Sequence, residues 1–178
     1  MVWSIIIFEV FMTVTIRSAF SSDGYIIDQS LTKEFRYGSF SSPYNGCGWI
    51  ACYNLLLASG IKTSCGEVIA ALTPTLQLGG LIGTRMRHVQ AYLRSKGLNV
   101  QLTKKSAGII SVCEKADHGI LWYWDGLEPH FIAFTRVGDG TFRFFNAVEG
   151  EENHISDIRS FLKKHTFVPC VRVLTVIK

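Results

Sequence analysis

Cys47, a cysteine between two glycines, is the residue of this sequence best suited to nucleophilic chemistry. It lies in the string Asn-Gly-Cys-Gly-Trp at 45–49, and the apolar residues after it predict a helix over 47–59. At the first turn of a helix, unpaired N–H groups and the positive end of the helix dipole favour the nucleophilic thiolate. The same N–H groups can bind a developing oxyanion. A buried cysteine beside turn glycines is the structural alternative.

A histidine and an asparagine at one end of a predicted hairpin supply the partners that such a cysteine needs. The pattern predicts strands over 130–137 and 141–145, with a tight Gly-Asp-Gly turn at 138–140 between them. Folding at this turn brings His130 and Asn146 to the same end of the sheet. An amide there can accept from one ring nitrogen and fix the tautomer, so that the other nitrogen faces the thiol. A lone histidine at the start of a strand is more often structural.

These segments resemble a papain-like cysteine peptidase, and in size and spacing they resemble its compact C39-like branch. The resemblance rests on the Asn-Gly-Cys-Gly string that opens an apolar helix, on the strand Pro-His-Phe-Ile-Ala-Phe at 129–134, and on the hairpin that ends in Asn146. It implies that Cys47 is the nucleophile, that His130 is the general base and acid, and that Asn146 orients the histidine. Many C39-like members have aspartate at the third place, whereas papain itself has asparagine.

The activity that the resemblance implies is hydrolysis of a peptide or amide bond through an acyl-enzyme, with a peptide or protein substrate and no cofactor. Members of the C39-like branch often trim leader peptides after a double glycine, so leader-peptide processing is one expected activity. The alternatives are acyl transfer to an amine and a non-catalytic module that binds peptide. A redox pair of Cys47 with Cys52 is disfavoured, because residues five apart on a helix do not face each other well.

The oxyanion donor is where the sequence departs from the papain-like pattern. These enzymes commonly carry a glutamine about six residues before the nucleophile, whereas Ser41 stands there in this chain. We expect either Asn45 or the nearest upstream glutamine, Gln29, to donate in its place. Loss of one such donor typically costs about 10²–10³-fold in rate. A weak enzyme and an inactive relative of these peptidases are therefore alternative hypotheses.

The order of the predicted elements favours the α+β class, with helices first and an antiparallel sheet after them. The resemblance narrows this to a papain-like fold in which N-terminal helices pack on the sheet. Besides those already named, we predict a helix over 65–72 with Ser64 as its cap, a helix capped by Thr84 that ends at about 97, and helices over 106–115 and 155–164. We also predict strands over 99–102, 120–124 and 168–176.

The bulk composition describes a packed globule without an obvious nucleic-acid or metal partner. Of the 178 residues, 48% are hydrophobic and 18% charged, which excludes disorder. The net charge of +4 is mild and its basic residues are scattered, so nucleic-acid binding is not expected. The five cysteines form no Cys-x-x-Cys pair, which argues against zinc, and a chain this apolar does not need a disulfide framework.

The N-terminal segment 1–22 is treated apart from a single papain-like domain at 23–178. It is strongly apolar up to residue 16 but is interrupted by Glu9 and followed by Arg17. It is short for a spanning helix and lacks the basic start and the small-residue cleavage site of a signal peptide. The three interpretations of this segment are a degenerate signal or anchor, an N-terminus assigned too far upstream, and a packed β segment. Membrane association and the compartment depend on which of them holds.

Three further features lie near the predicted cleft. We interpret the aromatic run Trp122, Tyr123 and Trp124 as core packing, with an outward tryptophan in a substrate groove as the alternative. The glycine-rich loop at 78–83 lacks the ending of a phosphate-binding loop and is better read as a wall over the cleft. Three glutamates within 149–152 are expected to be a solvated rim, which would favour basic peptides if it had a function.

Overall fold

The computed structural model describes residues 18–126, 128–166 and 168–177, in which helices cover both faces of an antiparallel sheet. The helices are α1 (Ser42–Asn45), α2 (Cys47–Ala58), α3 (Cys65–Leu72), α4 (Met86–Ser95), α5 (Ser106–Lys115) and α6 (Ile158–His165). The strands are β1 (Arg36–Tyr37), β2 (Phe40–Ser41), β3 (Val100–Thr103), β4 (His118–Asp125), β5 (Glu128–Gly138), β6 (Thr141–Phe145), β7 (His154–Ser156) and β8 (Val168–Val176). This architecture confirms the predicted α+β class, and α3, α5, β6 and β8 have the predicted bounds.

The main sheet has the order β3-β8-β4-β5-β6-β7, and every neighbouring pair is antiparallel. Successive side chains of a strand point to opposite faces, so each strand contributes to two cores. Ile120 and Phe131 belong to the core that includes α2, whereas Leu121 and Ile132 belong to the core that includes α5 and α6. Because both faces are covered, β4 and β5 read as nearly continuous apolar runs.

Helix α2, which begins with Cys47, is buried on nearly every side. It packs on β5 and β4 of the sheet and against α3 and α4. Its one fully buried amide, Asn54, accepts from the N–H of Ile26 and donates to the carbonyl of Ile26, each at 2.8 Å. These paired bonds satisfy the polar side chain and fix an upstream segment against the helix. The helix that carries the predicted nucleophile is therefore held rigidly.

The predicted cap of α3 is confirmed, whereas that of α4 is wrong. Ser64 accepts from the N–H of Glu67, whose carboxylate accepts in return from the N–H of Ser64, which is a capping box. Thr84 was the expected cap of the next helix, but Arg85 occupies that position. The Thr84 hydroxyl instead lies 2.9 Å from the hydroxyl of Tyr37, so it makes a tertiary contact and does not cap the helix.

The helix predicted over 155–164 begins later, because an edge strand takes its first residues. β7 pairs with β6, with His154 opposite Phe144. Asp157 then caps α6 by accepting from the N–H of Ser160 at 2.8 Å. The aspartate cap was present in the sequence, but the pairing of the preceding residues with an open sheet edge is a tertiary effect.

Most of the N-terminal segment predicted as a separate unit, residues 1–17, lies outside the described residues. Of the remainder, Ala19 is buried and its carbonyl accepts from the N–H of Ile27 at 2.9 Å. Phe20 forms a β-bridge with Ile26 and an edge-to-face contact with Tyr53. Packing of the domain therefore begins before residue 23. Among the described residues, no helix has the length and apolar character needed to cross a membrane.

Candidate active site

Cys47 is the first residue of α2 and is half-buried at the edge of a cleft. The single turn of α1 precedes it, and Gly46 between the two helices is itself helical. A side chain at Gly46 would meet the carbonyl oxygen of Ser42 at 2.5 Å, and one at Gly48 would meet Cβ of Thr84 at 2.5 Å. Both flanking glycines are therefore required by close packing of the chain on itself, a reason that the sequence does not reveal.

His130 lies on β5, directly opposite Tyr123 of β4. Its Nε2 is 2.9 Å from the backbone carbonyl oxygen of Asn146. A carbonyl can only accept, so Nε2 carries the proton and Nδ1 is the nitrogen left for Cys47. The ring also makes an edge-to-face contact with Tyr123, at 6.0 Å between centroids. His130 is thus held on two sides in the tautomer that a general base needs.

The neighbouring Cys47 side chain changes the pKa of His130. Burial lowers this pKa, but the hydrogen bond with the Cys47 side chain and the charge of Cys47 act in the opposite direction. The bond to the Asn146 carbonyl raises it further, and the pKa ends above its ordinary value. The imidazolium therefore persists to higher pH than in a free histidine.

Asn146 meets His130 through its backbone, whereas the sequence suggested its side-chain amide. The residue has a φ of 59°, a left-handed conformation that asparagine tolerates better than most residues. Its side chain turns to Gln29 instead. Its Oδ1 accepts from the N–H of Gln29 at 2.9 Å, and its Nδ2 donates to Oε1 of Gln29 at 3.2 Å. This reciprocal amide pair fixes the residue whose carbonyl receives the histidine proton.

Gln29 also reaches the turn in front of the cysteine. Its Nε2 lies 3.2 Å from the carbonyl oxygen of Ser42 and 3.0 Å from that of Pro43. The same side chain therefore connects the histidine side of the site, through Asn146, with the helix that leads to Cys47. Gln29 was one of the two expected oxyanion donors, but both of its amide hydrogens are engaged in these bonds.

Asn45, the other expected oxyanion donor, is engaged in the same way. Its Nδ2 donates to the carbonyl oxygens of Tyr37 at 3.0 Å and Gly80 at 3.2 Å. The side chain is buried, so it fixes the glycine-rich loop to the turn before Cys47. Neither amide that the sequence offered has a free N–H for an oxyanion in this arrangement.

The cleft beside Cys47 has a volume of about 780 Å³. Trp122 and Trp124 line it from β4, and Leu81 and Ile82 line it from the glycine-rich loop. Only Tyr123 of the aromatic run is fully buried. The interpretation of the run as core packing is confirmed for Tyr123 and in part for Trp122, which packs against the core. Both tryptophans also line the cleft, on the face of the strand opposite to Tyr123, as the alternative interpretation had it.

The glycine-rich loop does form a wall of the cleft, whereas the acidic residues do not. Leu81 and Ile82 are 54% and 59% exposed, unusually high for large apolar side chains in a wall. Glu151 pairs with His154 at 3.0 Å, and Glu152 accepts from the hydroxyl of Ser22 at 2.6 Å. These two glutamates serve local contacts, and none of the three is among the residues that line the cleft.

Of the other four cysteines, Cys65 and Cys170 are half-buried like Cys47, whereas two are more deeply placed. Cys52 and Cys113 are fully buried. Burial raises the pKa of Cys113 to about 12 and that of Cys65 to about 11, and it raises that of Cys52 further. A buried Cys52 cannot serve as an accessible redox partner of Cys47. Among the described residues, no group of three or more His, Cys, Asp or Glu side chains could hold a metal ion.

The fold is that of the papain-like peptidases of the C39 type, as the sequence resemblance implied. A double-glycine-motif protease from an AMS/PCAT transporter, solved with the leader peptide, matches with a TM-score of 0.50 at 11% identity, over 74% of this chain and 84% of that one. The peptidase domain of Streptococcus ComA, a bifunctional ABC transporter of a quorum-sensing pathway, matches with a TM-score of 0.52 at 8% identity, over 75% of this chain and 93% of that one. No protein-family model matches the sequence, and no curated protein matches it significantly. At such low identity the likeness concerns the fold.

Proposed function

We propose that this protein is a cysteine peptidase in which Cys47 is the nucleophile and His130 is the general base and acid. One observation carries the proposal: His130 donates from Nε2 to a fixed carbonyl and lies beside Cys47, whose side chain raises the pKa of the imidazole, at the edge of a cleft. Asn146 orients the histidine through its backbone carbonyl and is itself held by Gln29.

The chemistry follows from the positions of these groups. Nδ1 of His130 takes the thiol proton, and the thiolate attacks the carbonyl carbon of the scissile amide. The tetrahedral intermediate collapses as the C–N bond breaks, and the imidazolium gives its proton to the departing amine. This leaves a thioester on Cys47. His130 then removes a proton from water, the hydroxide attacks the thioester, and the thiol regains its proton as the acid leaves.

The oxyanion of this intermediate needs a donor other than the two engaged side-chain amides. The backbone N–H of Cys47 lies at the first turn of α2, where N–H groups lack partners within the helix. We assign it the role of principal oxyanion donor. With one backbone donor and no free side-chain amide, we expect a modest turnover rate.

The substrate class that we propose is a leader peptide cleaved after a double glycine. This extends to the present chain what is known of the solved double-glycine-motif protease with the same fold. The test is incubation with synthetic leader-type peptides that differ only in having Gly-Gly or Ala-Ala before the scissile bond, with products read by mass spectrometry. Cleavage of the Gly-Gly peptide by wild type, and none by Cys47→Ser, is the expected result.

A binding module without catalysis is the second candidate, and the engaged amides of Asn45 and Gln29 are what favour it. Such a protein would bind leader-type peptides in the cleft and leave them intact. Tight binding by wild type without any cleavage or acyl-enzyme, while Cys47 stays open to alkylation, would contradict the peptidase proposal. An acyltransferase would differ only in the last step. An added amine would then attack the thioester in place of water, and the product would be an amide.

A further inference from the structure

The floor of the cleft is a platform of aromatic side chains on two paired strands. Trp122 and Trp124 of β4 make an edge-to-face contact, with centroids 6.3 Å apart. Phe131 and Pro129 of β5 lie directly opposite them in the sheet register and also line the cleft. Since Leu81 and Ile82 add aliphatic surface from the facing loop, the cleft has a strongly apolar lining.

Cations surround this apolar floor. Arg85 and Arg87 at the start of α4, Lys104 just after β3, and Arg172 of β8 all line the cleft, against one carboxylate, Glu128. In residues 18–126, 128–166 and 168–177, the ion pairs involve other side chains, namely Arg136, Arg143 and His154 with their acidic partners. Four positive charges therefore converge on the cleft against the single carboxylate of Glu128, and none of the four is in an ion pair among these residues.

The position of Arg172 connects the two features. It lies opposite Trp122 in the pairing of β8 with β4, and its guanidinium carbon is 4.8 Å from the centroid of that ring. A cation–π contact of this kind keeps the planar guanidinium on the floor of the cleft. There its N–H groups can meet a carboxylate while the ring beneath contacts an apolar neighbour.

We infer that the cleft selects acidic peptides, in which aspartate or glutamate residues alternate with large apolar ones. The inference rests on the proposed peptidase function and names the substrate class of that same site. The sequence analysis expected a solvated acidic rim that would favour basic peptides only if it had a function, and those glutamates lie outside the cleft. Cations with aromatic rings also suit single-stranded nucleic acid. The aliphatic wall, Glu128 and the adjacent Cys47 favour a peptide.

Binding to an inactive variant tests the selectivity apart from cleavage. Cys47→Ala would be titrated with fluorescein-labelled peptides that share one apolar pattern and carry Glu, Gln or Lys at the intervening positions. We expect the Glu peptide to bind about tenfold more tightly than the Gln peptide at low salt, since exposed charge pairs each contribute modestly. The Lys peptide should bind more weakly than either. Added salt should shrink the difference, because the cations are largely exposed.

A matched pair of charge variants locates the effect. Arg85→Gln, Arg87→Gln and Lys104→Gln, combined in the Cys47→Ala background, remove three exposed cations from the cleft. Lys115→Gln, Lys163→Gln and Lys164→Gln, combined in the same way, remove the same charge from exposed positions of α5 and α6. The cleft variant should lose most of the preference for Glu, and the control variant should keep it.

Three results would overturn the inference: equal affinity for the Glu and Gln peptides, the preference kept in the cleft variant, or displacement of the peptide by a single-stranded oligonucleotide that itself binds more tightly. Cleavage of Glu and Gln peptides at equal rates by wild type would also overturn it, while leaving the peptidase proposal intact. Preferential binding of the Glu peptide with no cleavage by wild type would support the inference about the cleft and count against the peptidase.

Discussion

Two helices of this protein begin with the same dipeptide, Cys-Gly, and only one of them faces a histidine. In α2 the pair is Cys47-Gly48, and in α3 it is Cys65-Gly66. Each cysteine is the first helical residue and is half-buried. The surroundings differ: the side chain of Cys47 lies beside His130 and raises the pKa of that imidazole, whereas burial raises the pKa of the Cys65 thiol to about 11.

The ends of the two helices differ in how their N–H groups are used. At α3, Ser64 and Glu67 form a capping box, which places a carboxylate at the positive end of the helix. At α2 the cap is Gly46, whose lack of a side chain leaves no such bond. A helix start therefore does not by itself make a thiol reactive. The partner from the sheet, the open cleft and the absence of a competing cap distinguish Cys47 from Cys65.

The largest effect on this contrast is expected from His130→Ala, which removes the proposed base and leaves Cys47 in a setting closer to that of Cys65. Peptide cleavage should fall by roughly 10²–10⁴-fold, the usual contribution of a positioned general base. The measurement is kcat/KM on the leader-type peptide. His88→Ala, which changes a histidine outside the residues lining the cleft, is the control and should keep activity. A His130→Ala variant with unchanged kcat/KM would show that the base lies elsewhere.

A smaller effect is expected from Gln29→Ala, which removes the bond from Asn146 Nδ2 to Gln29 Oε1 but keeps the backbone bond to Asn146 Oδ1, and so loosens the carbonyl that accepts from His130. We expect kcat to fall about 10–10²-fold with little change in KM, because misplacement by about 1 Å can cost such factors. Losing the carbonyl contact lowers the pKa of His130, so the pH at which the imidazolium deprotonates should move down. Gln101→Ala, at an exposed position of β3, is the matched control. Equal kcat in both variants would exclude Gln29 as a positioning residue.

The two glycines should respond to alanine with opposite signs. A Cβ at Gly48 would lie 2.5 Å from Cβ of Thr84, whereas one at Gly66 would have only the Ser64 hydroxyl, at 4.0 Å. Gly48→Ala should therefore lower the free energy of unfolding by about 1–3 kcal/mol. Gly66→Ala should raise it by about 0.5–1 kcal/mol, since alanine favours a helix. Chemical denaturation measures both, and a Gly48→Ala variant as stable as wild type would contradict the close packing.

The smallest effect is expected from Cys65→Ser, which should leave kcat/KM unchanged. Its thiol, whose raised pKa is about 11, is protonated at neutral pH and becomes a thiolate only as the pH rises towards that value. Alkylation of Cys65 followed by peptide mass spectrometry should show half-maximal rate near that pH. Loss of cleavage in Cys65→Ser, with the fold intact by circular dichroism, would break the contrast between the two helix starts.

The sequence predicted each half of the site but not what joins them. The hydrophobic period and the Gly-Asp-Gly turn were enough to bring His130 and Asn146 to one end of the hairpin, because strand register follows from the turn. The contact through the Asn146 backbone follows from a φ of 59°, which no local pattern specifies. The role of Gln29 depends on a contact across 117 positions of the chain, and a single sequence holds no signal for it.

The composition of the cleft was the other feature that sequence reasoning did not predict. Alternation along β4 predicts that Trp122 and Trp124 share a face, but it does not show that the cleft lies over them on that face. Arg172 joins them only because β8 pairs with β4, an arrangement set by the whole sheet. By contrast, α3 was predicted with its bounds and its cap, since the capping box is local in the sequence.

The most direct test of the central claim is the rate of iodoacetamide labelling of Cys47 across pH, with Cys65 as the internal reference. The Cys47 side chain lies beside His130 and raises the pKa of the imidazole above its ordinary value, as expected of a cysteine–histidine pair. Cys47 should therefore label at neutral pH at least roughly 10²-fold faster than Cys65, and His130→Ala should abolish most of this difference. Labelling of Cys47 at the rate of an ordinary thiol, unchanged by His130→Ala, would contradict the cysteine–histidine pair and favour the binding module.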